Sequence, residues 1–353
     1  MEALILTYTS ALRVVRHARC MRSPLGKLVS SRREQTAILN AASSNTSMID
    51  ADYLERLGIP RPSNLNKLHV LIGRQSAHRH CDCCVEHMIA PNRMPGASLV
   101  HLAANVYCTS PVFTAYRYTN GRSLAEAFAL LSELMGTYSL PAEITDDIAC
   151  GYVGAFASID AKVEYGVDPV VTKQEIEVLA KKTKSRADAS FVRAAGWLAG
   201  PSASPMETIL LAMLGLPKRY GGFGCFALPG GLRPNYKVVF NGHARQMSSG
   251  VPYAVCDIYA PSAHTDIEYN GAYHDAMFAR KHDAARNNGL RGMGIKLIEV
   301  DARHMFDLVA LEAFAMDLYK SAGRQFEYRV DGYRTRQANL LTALYCAMGL
   351  RPH

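Results

Sequence analysis

Between Tyr236 and Val300 the chain places three β-like runs, a helical stretch and a fourth β-like run in that order, and this constrains the fold more than any other feature. The runs are YKVVFNG at 236–242, YAVCDIYA at 253–260, TDIEYNG at 265–271 and IKLIEV at 295–300, with a helix expected over about 274–291. A short helix at 205–215 precedes them, and two more, near 304–322 and 334–348, follow. Helix, three-strand meander, helix, strand and helix predict a mixed α/β domain over 201–353.

At 353 residues the chain is long enough for about two domains. Pro201 and Pro205 mark a boundary near 200. The first region, 1–200, reads as an α+β domain with strands first and helices after them. LHVLIG at 68–73 is strand-like, and 98–108 holds one or two further strands. From Ser123, an N-cap, the apolar residues Leu124, Phe128, Leu131 and Met135 recur at helical spacing. More helix is expected at about 142–161, 172–184 and 187–199.

Composition narrows the function classes. With 49% apolar and 20% charged residues, the chain is neither disordered, collagen-like nor a coiled coil. Apolar runs such as ILLAMLGL at 209–216 fall short of the roughly 18 residues a membrane span needs, so no membrane partner is expected. The 39 basic side chains against 31 acidic give a net charge of +8, which points to phosphate-bearing partners. Nine cysteines, an odd number, read as reduced thiols of a cytoplasmic protein.

The chemistry-bearing signal is acid placed inside apolar strands. Asp257 sits in AVCDIY and Glu268 follows in DIEYNG. Strand alternation puts Asp266, Glu268 and Asn270 on one face and Ile267 and Tyr269 on the other. Two carboxylates at one sheet edge are costly to bury unless a cation neutralises them, as Mg²⁺ commonly does. The plainer alternative is that these acids flank turns and face water. On the following helix, Asp283 and Arg286 share a face with Leu290, as an intrahelical pair or as a phosphate contact. Arg280, Lys281 and Arg291 add positive charge suited to a nucleic-acid backbone. The cluster HRHCDCCVEH at 78–87 has zinc-binding residue types but lacks C-x2-C spacing, so His101 and Cys108 would have to complete it. Trp197 reads as a packing residue.

The segment from Tyr253 to Val300 resembles the Vsr-like branch of the PD-(D/E)XK nuclease superfamily. The matching positions are Asp257, Glu268, Asn270, Gly271, His274, Asp283, Arg286, Leu290, Gly294 and Val300. SPMETILLAMLGLP at 204–217 looks like the family's S-P-x-E-T helix and adds Glu207, while PNYKVVF at 234–240 is similar to its P-x-x-N strand start. The resemblance implies a restriction-endonuclease-like core. In it Asp257 and Glu268 bind Mg²⁺ or Mn²⁺, Glu207 completes or orients the site, and His274 serves as general acid/base or phosphate contact. The superfamily lysine two residues after the second acid is replaced by Asn270, which supplies no positive charge. TSALRVVR at 9–16, PRPSNLNKLHVLIG, CTSPVFT at 108–114 and the helix after Ser123 resemble the AbiEi-like antitoxin/regulator architecture. The winged helix usual at its start is not expected here.

These resemblances imply a bacterial, metal-dependent DNA endonuclease-like protein connected with phage defence or DNA repair, with a protein partner engaged through the N-terminal half. The alternative of another class is a non-catalytic DNA-binding or antitoxin-like regulator that keeps the nuclease fold. A protein-interaction module is the third.

Overall fold

The computed structural model describes residues 2–45, 50–73, 82–144, 163–183, 189–270 and 277–350, and of 277–283 the backbone alone. The chain divides into two compact units, one of 1–134 and 138–196, the other of 135–137 and 197–353. It is a mixed α/β protein. No helix among the described residues is long and apolar enough to cross a membrane.

In the first unit strands and helices interleave, so the expected order of strands first and helices after does not hold. The elements are β1 (Leu4–Leu6), α1 (Tyr8–Cys20), β2 (Lys27–Val29), α2 (Arg32–Asn40), α3 (Ala51–Arg56), β3 (Leu68–Ile72), β4 (Cys84–Met88), β5 (Leu99–Ala103), β6 (Val106–Thr109), α4 (Pro111–Tyr118) and α5 (Leu124–Met135). A two-stranded pair, β7 (Tyr138–Ser139) and β8 (Glu164–Tyr165), follows, then α6 (Lys173–Lys182) and α7 (Ala189–Ala195). The six-stranded sheet runs β2-β5-β6-β1-β3-β4, with β1 parallel to β6 and β3 parallel to β4. Three-residue strands such as β1 are too short to show periodicity, and only partners distant in sequence make them strands. The core gathers Leu6, Val14, Leu54, Val70, Val100 and Cys108. Beside it the buried Arg16 guanidinium donates to Glu133 (Nε to Oε1, 2.8 Å). As expected, Ser123 caps α5, its hydroxyl accepting from the Glu126 N–H at 3.2 Å. The helix expected over 142–161 falls mostly outside the described residues.

The second unit is built from α8 (Pro205–Gly215), β9 (Arg233–Val239), α9 (Gly242–Met247), β10 (Tyr253–Ala260), β11 (Thr265–Asn270), α10 (Met277–Gly292), β12 (Lys296–Asp301), α11 (Ala302–Phe306), α12 (Leu308–Ser321) and α13 (Tyr333–Ala347). The sheet order is β12-β11-β10-β9, an antiparallel meander closed by a fourth strand parallel to β11. A parallel neighbour requires a crossover, and α10 supplies it. Buried residues of both parities, Cys256 and Tyr259 on β10, Asp266 and Ile267 on β11, show that both sheet faces are covered. Every residue of α8 is buried, Glu207 and Thr208 of its first turn included, as a helix apolar on all sides beyond that turn requires. Gly289 lets α10 lie close, since a Cβ there would meet the Phe240 ring at 2.1 Å.

Two boundaries differ from expectation. The first strand starts earlier and stops at Val239, because Asn241 caps the short α9 by accepting from the Ala244 N–H. The helix expected over 304–322 is two helices, split where Asp307 caps α12 through the Val309 and Ala310 N–H groups.

Candidate functional site

The β10–β11 register pairs Ile258 with Ile267, Tyr259 with Asp266 and Ala260 with Thr265. One step further, Asp257 stands opposite Glu268, and there side chains replace the backbone ladder. The Asp257 N–H donates to Glu268 Oε1 at 3.1 Å, and the Tyr269 N–H donates to Asp257 Oδ2 at 2.9 Å. The β9 side is interrupted at the same level. Cys256 pairs with Tyr236 and Ile258 with Pro234, leaving Asp257 opposite Asn235. Asn235 has a left-handed φ of 48°, which asparagine tolerates better than most residues, and its amide donates to the Pro201 carbonyl at 2.8 Å. The kink frees both strands from regular pairing at the acidic position.

Glu207 enters from the first turn of α8. Its N–H is capped by the Ser204 hydroxyl, and its Oε2 accepts from the Ala203 N–H at 2.9 Å. Asp266 is fully buried. Its Oδ2 accepts from Arg286 at 2.9 Å, while its Oδ1, near the Cys256 thiol and Glu268, accepts no hydrogen bond of normal geometry. The same Arg286 Nη2 donates to Glu268 Oε1 and to the Val255 carbonyl, the latter at 2.9 Å.

Four carboxylates thus gather here, and the Arg286 guanidinium pairs with two of them, Asp266 and Glu268. Burial, then the Asp266 charge, pushes the Glu268 carboxyl up to about 8 although Arg286 pulls it the other way. Burial and Glu268 raise Asp257, and burial and Asp257 raise Glu207. The plain alternative of solvent-facing acids does not describe these side chains. Their raised values are the signature of negative charge crowded into a poorly solvated place.

The other expected site residues divide. Arg286 is turned inward onto Glu268 and Asp266 and is not presented to an external phosphate, because those two acids need it more. Arg291, in the last turn of α10, is exposed. Arg280 and Lys281 lie on α10, with side chains outside the described residues, as is the Asp283 side chain. His274 and Gly271 lie outside them altogether. Sequence reasoning missed Arg286 as the counter-ion of the acids; its place one turn before buried Leu290 on a sheet-packed helix was the available signal.

In the 78–87 cluster, His78, His80 and Cys81 fall outside the described residues. His87 Nε2 instead meets His69 Nδ1 at 2.8 Å, and Cys108 is sealed in the core with its thiol pushed up to about 12 by burial. Among the described residues no three His, Cys, Asp or Glu side chains form a metal-holding group. Trp197 stacks on Phe226, centroids 6.3 Å apart.

No known family profile, curated protein or solved structure matches this chain.

Proposed function

We propose that residues 197–353 form a divalent-metal-dependent phosphodiester hydrolase of the PD-(D/E)XK type acting on DNA. The observation that carries the reading is the juxtaposition of Asp257 and Glu268 on adjacent strands beside the kink in β9, with Glu207 influencing the same charges and, among the described residues, Arg286 opposing them. The donor set fits a hard cation. All its donors are carboxylate oxygens, four acids face a single ion-paired cation among the described residues, and the buried Asp266 Oδ1 accepts no hydrogen bond of normal geometry. Asp257 and Glu268 would hold Mg²⁺ or Mn²⁺, with Glu207 orienting the site from α8, and the ion when bound supplies Lewis-acid stabilisation and an acidified water. The chain's own contribution is positional. Main-chain N–H groups hold Asp257 and Glu268, the α8 cap holds Glu207, and Arg286 keeps Asp266 and Glu268 from repelling one another. His274 would move a proton at the scissile phosphate, in place of the lysine that Asn270 replaces.

A second reading, a non-catalytic DNA-binding or antitoxin-like regulator on the same scaffold, is favoured by the Arg286 ion pairs, which already neutralise part of the acid cluster.

Incubating the purified chain with supercoiled plasmid and Mg²⁺ or Mn²⁺ separates the two. Nicking that disappears in Asp257→Ala, and falls by about 10² to 10⁴ in His274→Ala, supports the hydrolase. No cleavage of duplex, mismatched or single-stranded DNA, with DNA binding retained, supports the regulator.

A further inference from the structure

The first unit contains a cavity of about 970 Å³ that neither reading uses. Four cations line it: Arg32 at the start of α2, Arg93 in the turn before β5, Arg117 on α4 and Lys182 at the end of α6. Asn92, Asn120 and Thr183 add neutral polar groups, and no Asp or Glu is among the described lining residues. Arg32, Arg93 and Lys182 are exposed, and among the described residues Arg93 and Lys182 form no ion pair. Arg32, Arg93 and Lys182, like charges exposed around one concavity, repel one another and focus a positive potential into it, which an anionic ligand relieves. Arginine forks match phosphate oxygens two at a time, so adjacent phosphates suit this wall better than a lone carboxylate.

A second pocket, of about 450 Å³, shares Pro95, Gly96 and Lys182 with the first. Its walls are largely apolar, with Leu28, Val100, Val112, Phe113 and Val178. Glu175 also lines it, but that carboxylate is tied into the cap of α6 by the Thr172 N–H and hydroxyl. A cationic cavity opening beside an apolar pocket suits a ligand with a polyphosphate head and a flat, weakly polar body.

We infer that this paired cavity binds a nucleoside di- or triphosphate, phosphates against Arg32, Arg93, Arg117 and Lys182 and the ring system in the apolar pocket. The site lies wholly within the first unit and is independent of the Asp257–Glu268 cluster.

Calorimetric titration of the full chain with ADP, ATP, AMP, pyrophosphate and a dT oligonucleotide tests it. ADP and ATP should bind, AMP more weakly, and pyrophosphate should compete with ADP. The double variant Arg32→Ala/Arg93→Ala and the single variant Lys182→Ala should each lose about tenfold in ADP affinity or more. Asp257→Ala should bind ADP as the parent does, whatever the plasmid assay shows. Circular dichroism checks that the variants fold, and Lys182→Ala alone carries the test if the double variant does not. Absence of ADP and ATP binding at millimolar concentration, or binding that folded variants leave unchanged, overturns the inference. Tighter binding of the oligonucleotide than of ADP overturns the assignment to a free nucleotide.

Discussion

The Asp257 N–H donates to the Glu268 carboxylate at 3.1 Å, across a position where the two strands would otherwise exchange main-chain hydrogen bonds. Carboxylates that substitute for a ladder are held in place by the backbone, and removing either one leaves a buried N–H without a partner as well as deleting a charge.

The first prediction concerns pH. In the fold Glu268 keeps its proton up to about 8, against 4.5 ordinarily, so its folded value lies above its unfolded one. Its contribution to stability is therefore full below about 4.5 and is lost as the pH rises through about 8. Asp257 and Glu207 act in the same direction. In EDTA the thermal midpoint should fall between about pH 5 and pH 8, Glu268→Gln should flatten the fall, and Mg²⁺ should restore the midpoint at the alkaline end. A midpoint indifferent to both pH and Mg²⁺ contradicts the charge-deficit account.

Arg286→Met should destabilise the second unit by about 3 to 5 kcal/mol near pH 8, because Asp266 and Glu268 lose their common counter-ion. Urea unfolding should show a smaller loss near pH 5, where those acids take up protons instead. Arg286→Lys should recover only part of the loss, since an ammonium does not reproduce the guanidinium fork.

At the start of α8, Glu207→Ala should cost about 1 kcal/mol by removing the acceptor of the Ala203 N–H. Glu207→Gln keeps an acceptor and removes a charge beside Asp257, so it should leave stability near pH 8 unchanged or higher. If Glu207 belongs to the metal set, Glu207→Gln should still lower cleavage, which divides its cap role from its site role.

Arg291 is the described cation of α10 that stays exposed. Arg291→Ala should weaken DNA binding similarly for all sequences and lower the salt slope by about 0.9 log units per log unit of salt. Binding with a flat salt response in the parent protein would favour an interaction module over either DNA reading.

The order of strands and longer helices from Pro205 to Asp301, the short α9 excepted, could be read from residues alone, because a run such as DIEYNG alternates with period two while α8 and α10 do not. Placing Asp257 level with Glu268 needed only the short turn between their strands, since an antiparallel hairpin sets its own register. The first half was far less legible. β1 is a strand through Val106–Cys108 and Val70, and Arg16 meets Glu133 117 residues along the chain.

Sequence alone thus determined the α/β character, the meander and the pair of acids, all of which rest on local periodicity and short connections. Tertiary structure alone decided that Arg286 turns inward to Asp266 and Glu268, that Asn235 kinks the neighbouring strand, and that Arg32, Arg93, Arg117 and Lys182 line one cavity. Those outcomes depend on which distant segments are packed together and on how much water is removed from around each charge, and neither quantity is carried by the spacing of residues along a chain.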